Sequence, residues 1–225
     1  MKYIGPDFCN ITSLLTDEEL LIQKTANQFV TEEFNPIVNE YYKKGSFPLD
    51  LIPKMGELGF FGATLPKEFG GSEISSTAYG LIMHELEKGD SGLRSVCSVQ
   101  GGLVMYPIYQ YGTEEQKKKW LPQLSAGKAV GCFGLTESNH GSDPGGMLTR
   151  AKRDGDDWVI NGSKMWITNG SIADVAVVWA KDETGRIHGI IVERGMEGFS
   201  TPEMHGKLSL RASATGELIF DNVKV

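Results

Sequence analysis

The period of the hydrophobic pattern changes near residue 128, and this change constrains the fold more than any other feature. Before that point apolar residues recur three and four apart, the spacing of a helix. From Ala129 onward they alternate with polar ones, as on a half-buried strand. Each pattern gathers its apolar side chains on one face only in its own secondary structure. The 225 residues suffice for two small domains with cores of their own. The expected fold class is therefore α+β: an N-terminal helical bundle over 1–128, then an antiparallel β domain of hairpins over 129–225. No internal repeat or low-complexity stretch competes with that division.

Local signals fill in the two halves. Thr16, Asp17, Glu18 and Glu19 form a capping box ahead of Leu20, Leu21, Ile22, Phe29 and Val30 at helical spacing. Pro36 is expected to split this first helix. A second amphipathic stretch covers 49–58 and closes at Gly59; a third helix covers 75–87, with Ala78, Leu81, Ile82 and Leu86 on one face. Asp90, Ser91 and Gly92 read as a break and restart. Residues 93–111 then form a long apolar helix suited to the centre of a bundle. Thr113 to Gln116 is a second capping box, opening a helix that runs to Leu124. In the β half, 130–135 is a candidate strand. Asp154-Gly155 and Asn161-Gly162 read as hairpin turns around Trp158, Val159 and Ile160. Short apolar strands are expected at 175–180 and 190–193, and 217–225 reads as a last strand pair that continues past the final residue.

Charge and cysteine content exclude several functions. With 22 Lys and Arg against 29 Asp and Glu, the formal net charge of −7 offers no basic footprint for nucleic acid or an anionic membrane. No apolar run approaches transmembrane length, so no membrane insertion is expected. The first seven residues carry neither a signal core nor an Arg-rich transit pattern. A cytoplasmic location is expected, or the mitochondrial matrix for a processed eukaryotic protein. Cys9, Cys97 and Cys132 form no metal-ligand spacing with the four histidines, and they read as free thiols in a reducing compartment.

The chemistry concentrates in two stretches. Residues 131–146 combine glycines, hydroxyls and the apolar Phe133 and Leu135, which suits a loop approached by a large, flat, anionic ligand. Residues 164–170 set Trp166 and Thr168 two apart on a strand, hence on one side. The plain alternative for the first is a glycine-rich turn that binds nothing; for Trp166 it is a core aromatic. His140 reads as a solvated loop residue, and Lys207 and Arg211 are set aside as phosphate ligands.

The sequence from Gly134 to Asp143, Gly-Leu-Thr-Glu-Ser-Asn-His-Gly-Ser-Asp, with Lys164-Met165-Trp166-Ile167-Thr168-Asn169, resembles the acyl-CoA dehydrogenase family of flavoproteins. The likeness covers nearly the whole chain in order. Residues 85–95, 107–112 and 209–216 resemble the glutaryl-CoA dehydrogenase branch. The resemblance implies FAD as cofactor, held by Phe133, Gly134, Leu135, Thr136, Gly141, Ser142, Trp166, Ile167 and Thr168. Thr136 would face the pyrimidine edge of the flavin, and Thr168 would reach N5 beneath the Trp166 indole. It implies an acyl-CoA substrate, with Ser142 beside it. Arg94 and Ser95 would hold the distal carboxylate of a glutaryl chain, with Glu87 aiming the guanidinium. An ordinary ion pair between helices is the alternative for Glu87 and Arg94. The implied reaction is α,β-dehydrogenation, with Glu87 pointing to the decarboxylating type that yields crotonyl-CoA. Electrons would pass to an electron-transfer flavoprotein, and the intact enzyme would be a homo-tetramer. No glutamate here matches the family's catalytic base, which is expected beyond Val225 in a C-terminal helical domain. The chain is thus read as a portion of such an enzyme. The alternatives are a short-chain acyl-CoA dehydrogenase of other specificity, or a non-catalytic flavin- or acyl-CoA-binding module.

Overall fold

The computed structural model describes residues 7–225; the absence of a targeting pattern concerns residues that lie mainly outside these. Helix α1 (Asp17–Phe29) opens on a reciprocal cap: the Glu19 amide donates to Thr16 Oγ1 at 3.2 Å and the Thr16 amide to Glu19 Oε2 at 3.0 Å. The run widens into a π turn (Val30–Phe34), breaks around Pro36 and resumes as α2 (Val38–Lys44). Next come α3 (Leu51–Glu57), reversed at Gly59, whose φ is 73°, and α4 (Ser76–Gly89). Asp90 stands in extended conformation and ends α4. Its carboxylate caps α5 (Ser91–Ser98) by accepting the Gly92 amide at 2.7 Å.

The central run is helical throughout, but it is not the single α-helix expected over 93–111. A π segment (Val99–Met105) separates α5 from α6 (Tyr106–Tyr111). Pro107 withholds the N–H that the Leu103 carbonyl would receive in an unbroken α-helix, which favours a change of pitch here. Helix α7 (Glu114–Ser125) starts on the second capping box.

Seven strands follow: β1 (Gly131–Gly134), β2 (Arg150–Asp154), β3 (Asp157–Thr168), β4 (Val175–Lys181), β5 (Ile187–Glu193), β6 (Phe199–Ser200) and β7 (Thr215–Lys224). They form one sheet in the order β1-β4-β2-β3-β7-β6, with β5 on the other flank of β4. The sheet is mixed where an antiparallel one was expected, because β1 and β2 both run parallel to β4. Strand β1 leaves the helical domain and pairs with a strand some forty residues later (Gly131 with Val175), too distant in sequence for a hairpin.

Two turn readings change. At the first, Gly155 and Asp156 form the two-residue turn and Asp154 pairs with Asp157. The second, Asn161-Gly162, is no turn. It lies inside β3, where the register against β7 shifts between Ile160 and Gly162. Gly162 has φ 139°, and a Cβ there would stand 2.7 Å from Thr149 Cα, so a bulge forms where only glycine fits. The expected strand pair over 217–225 is one strand, β7, lying between β3 and β6.

Two apolar clusters result. One fills the helical bundle and takes in Val175 and Val177 from the sheet and Ala214 just before β7, so the halves share a core. The other lies within the curled sheet around Cys132, Ile160, Val178, Leu218 and Phe220. Cys97 and Cys132 are buried free thiols, and burial pushes both above their ordinary value, Cys132 to about 12; Cys9 is exposed.

Candidate active site

A cavity of about 490 Å³ opens where α5 faces the end of β3, lined by Ser95, Trp166, Thr168 and a wall formed by Lys207, Ser213 and Thr215 with neighbouring residues. Trp166 and Thr168 meet there, but not by the plain alternation of a flat strand. The register between β3 and β7 slips between Lys164 and Ile167, and Trp166 takes a left-handed backbone at φ 62°. For a bulky residue this costs roughly 1–3 kcal/mol. The kink turns the indole outward, 62% exposed, while Ile167 is buried in the sheet core. The Ile167 side chain therefore faces the sheet core, and only its backbone can face a ligand.

The loop after β1 is strapped to β3 by a buried ion pair that the sequence reading missed. The Glu137 carboxylate accepts from the Leu148 amide (2.6 Å), the Thr149 amide (2.9 Å), the Thr149 hydroxyl (2.6 Å) and Lys164 Nζ (2.9 Å). Lys164 Nζ also donates to the Leu135 carbonyl at 3.1 Å, and the Met165 amide to the Thr136 carbonyl at 2.9 Å. Leu135 and Thr136 are thus held next to Trp166. Burial would raise the Glu137 carboxyl, but the Thr149, Leu148 and Lys164 donors outweigh it and hold the group down at about 2. Burial lowers the Lys164 ammonium, and Glu137 opposes that shift. The available signal was the lone cation of one motif, Lys164, against two carboxylates in the other, Glu137 and Asp143.

Other expected contacts lie apart from the cavity. Phe133 packs edge-on against Trp179, ring centroids 6.0 Å apart. Gly134 is required by internal packing: a Cβ there would stand 2.8 Å from Leu218 Cδ1. Gly141 and Ser142 are exposed on the loop, and a Cβ on Gly141 would meet nothing within 4 Å. His140 packs on Gly146 within the same loop.

Next to Ser95 on α5, Arg94 donates through Nε to Glu87 Oε2 at 2.7 Å and through Nη1 to Ser98 Oγ at 3.3 Å. The Ser91 hydroxyl donates to the other Glu87 oxygen. Ser91 and Arg94 together hold the Glu87 carboxyl below the usual carboxylate range. Lys207 donates to the Ser213 carbonyl (2.6 Å) and the Thr215 hydroxyl (2.8 Å), and Arg211 donates to the Tyr42, Lys43 and Lys207 carbonyls. Lys207 lines the cavity wall and Arg211 ties that wall to α2, an arrangement legible in the sequence only as the 209–216 stretch. A second groove of similar volume, lined by Tyr111, Gln116, Trp158 and Trp179, is mainly apolar and holds none of these groups. Among the described residues no group of three or more His, Cys, Asp or Glu is arranged to hold a metal, and no helix is long and apolar enough to cross a membrane.

Comparison with known proteins matches residues 16–128 to the acyl-CoA dehydrogenase N-terminal domain and residues 132–223 to the acyl-CoA dehydrogenase middle domain. The chain is 39% identical over 217 residues to a short-chain specific acyl-CoA dehydrogenase of Clostridium acetobutylicum, covering 94% of this chain and 57% of that protein. It is 34% identical to the human mitochondrial short-chain specific enzyme, covering 52% of it. A crystal structure of a glutaryl-CoA dehydrogenase from Mycobacterium smegmatis in complex with FADH2 superposes with a TM-score of 0.95 at 49% identity, over 97% of this chain and 56% of that one. Butyryl-CoA dehydrogenase from Megasphaera elsdenii gives 0.88 at 37% identity, over 94% and 57%. The chain thus spans a little over half the length of these relatives, and with both domain models matched in order it belongs to the acyl-CoA dehydrogenase family.

Proposed function

We propose that this chain supplies the hydride-accepting half of an FAD-dependent acyl-CoA dehydrogenase site, and that the substrate is glutaryl-CoA. The fit to a flavin rests on the strained, outward-turned indole of Trp166, the Thr168 hydroxyl lining the same cavity, and a Gly141 that nothing in the chain itself requires. FAD, when bound, provides the acceptor for a hydride from the β carbon of the thioester. In this reading Trp166 covers the ring, and Thr136 and Thr168 donate where it gains negative charge. The backbone of 133–135, Ile167, Gly141 and Ser142 approaches the rest of the cofactor. General base chemistry needs a carboxylate within hydrogen-bond reach of the α proton. We place that carboxylate, the electron-transfer flavoprotein partner and the tetramer contacts with the intact, longer protein.

The observation that carries the substrate is Arg94, held by Glu87 and adjacent to Ser95 on the cavity. A guanidinium fixed in this way suits bidentate capture of a distal carboxylate. The test is the ratio of kcat/KM for glutaryl-CoA to that for butyryl-CoA in the full-length protein with Arg94→Ala. We expect a fall of about 10- to 100-fold, the value of a charge-assisted hydrogen bond. An unchanged ratio favours the second reading, a dehydrogenase of unsubstituted short acyl chains. That reading is supported by the pairing of Arg94 with Glu87 and Ser98, which gives the guanidinium a structural role of its own, and by the short-chain relatives.

A further inference from the structure

Outside the groups assigned above, one buried amide joins three elements. Gln100, 1% exposed, sits in the π segment that continues α5. Its Nε2 donates to the Leu124 carbonyl at the end of α7 (3.0 Å) and to the Ala129 carbonyl in the link between domains (2.8 Å). Its Oε1 accepts from the Gly131 amide at the start of β1 (2.7 Å). The other side of Gly131 is also held: its carbonyl accepts from Asn169 Nδ2 at 3.1 Å. Asn169 is fully buried, stands at φ 65° and directly follows Thr168. A Cβ on Gly131 would lie 2.5 Å from Val104 Cγ1, so only glycine lets β1 rest on the π segment.

We propose that Gln100 is a positioning residue: with Asn169 it clamps the two peptide groups that flank the Gly131 Cα and so fixes the substrate-side helix against the flavin-side strands. The proposal rests on the function given above. Gln100 lies five residues beyond Ser95 in one helical run, Phe133 lies two beyond Gly131, and Asn169 one beyond Thr168. A shift at Gly131 therefore moves β1, with the loop and β3 tied to it, relative to Arg94 and Ser95 on the helical side. Apolar packing fills space without fixing register, whereas the three Gln100 bonds are directional, and each buried donor or acceptor has one place where it is satisfied. Hydride transfer depends on such register, because a misplacement of about 1 Å costs on the order of 100-fold in rate.

The test uses the full-length holoprotein with Gln100→Leu and Asn169→Gly; the glycine keeps the left-handed backbone and removes the side chain that carries the amide. Bleaching of the flavin's visible absorbance is followed in single turnover with whichever acyl-CoA the unaltered protein oxidises, so that failure of the glutaryl assignment is separated from failure of the clamp. The expected result is a 10- to 100-fold slower flavin reduction with FAD content retained and KM within about 2-fold. Amide exchange in the FAD-free protein should rise locally over 129–136 and 166–169. Unchanged bleaching in a variant that only melts earlier, or exchange raised uniformly along the chain, overturns the proposal. If Gln100→Leu yields no folded protein, Asn169→Gly decides on the same readouts.

Discussion

A lysine with no exposed side-chain surface, Lys164, faces Glu137 across 2.9 Å beneath the loop that carries Leu135 and Thr136. Removing one member of such a pair strands a buried charge, so Lys164→Met is expected to cost about 3–5 kcal/mol in urea unfolding. Replacing both, with Glu137→Leu and Lys164→Met, should recover part of that loss. The pair also sets an acid limit. Glu137 sits at about 2 against an ordinary 4.5. A carboxyl depressed by folding contributes fully above the unfolded value, and that contribution is lost as pH falls from 4.5 through 2. Urea midpoints measured down that range should fall less steeply for Glu137→Gln than for the unaltered chain; parallel curves would remove Glu137 as the source. The motifs containing these residues were legible, but their pairing was not, because 27 residues of chain separate them and the contact exists only once the sheet has formed.

At the scale of elements, the reading succeeded where the signal is local. Both capping boxes, the Asp90 restart and the turn at Gly155 each lie within a few residues, and each appears in the structure, the turn one residue later than expected. Asn161-Gly162 misled because a glycine with positive φ serves a bulge as well as a turn. Which one forms depends on whether the strand on the far side folds back or runs on. Strand β3 runs on, and Asn161 and Asn222 exchange hydrogen bonds across the bulge at 2.9 and 3.2 Å. Gly162→Ala should therefore destabilise by about 1–3 kcal/mol through strain and the Thr149 contact, read as a lower urea midpoint at unchanged slope. A neutral result would mean that the bulge relaxes without cost.

At the scale of the molecule, the helical and sheet halves share one apolar cluster, so the chain offers one cavity wall from each: Ser95 from α5, and Trp166 with Thr168 from β3. The relatives extend well beyond the span matched here. The function proposed above leaves the carboxylate that takes the α proton unassigned among these 225 residues. The polypeptide alone should retain FAD weakly and should not bleach a dye acceptor with glutaryl-CoA at an enzymatic rate. Stoichiometric FAD surviving gel filtration, or steady bleaching, would contradict this.

By itself the sequence determined the class of each half, the helix ends and the two motifs that mark the family. Periodicity and caps act over a few residues, and motif residues are legible wherever they fall. Only the tertiary structure decided that the sheet is mixed, that Trp166 reaches the cavity through a strained bulge while Ile167 turns into the core, and that Glu137 meets Lys164. It also decided that Gln100 ties the helical half to Gly131. Each of these depends on which distant segment becomes a neighbour. That choice is made by burying shared apolar surface and satisfying the polar groups buried with it, and no local pattern encodes it.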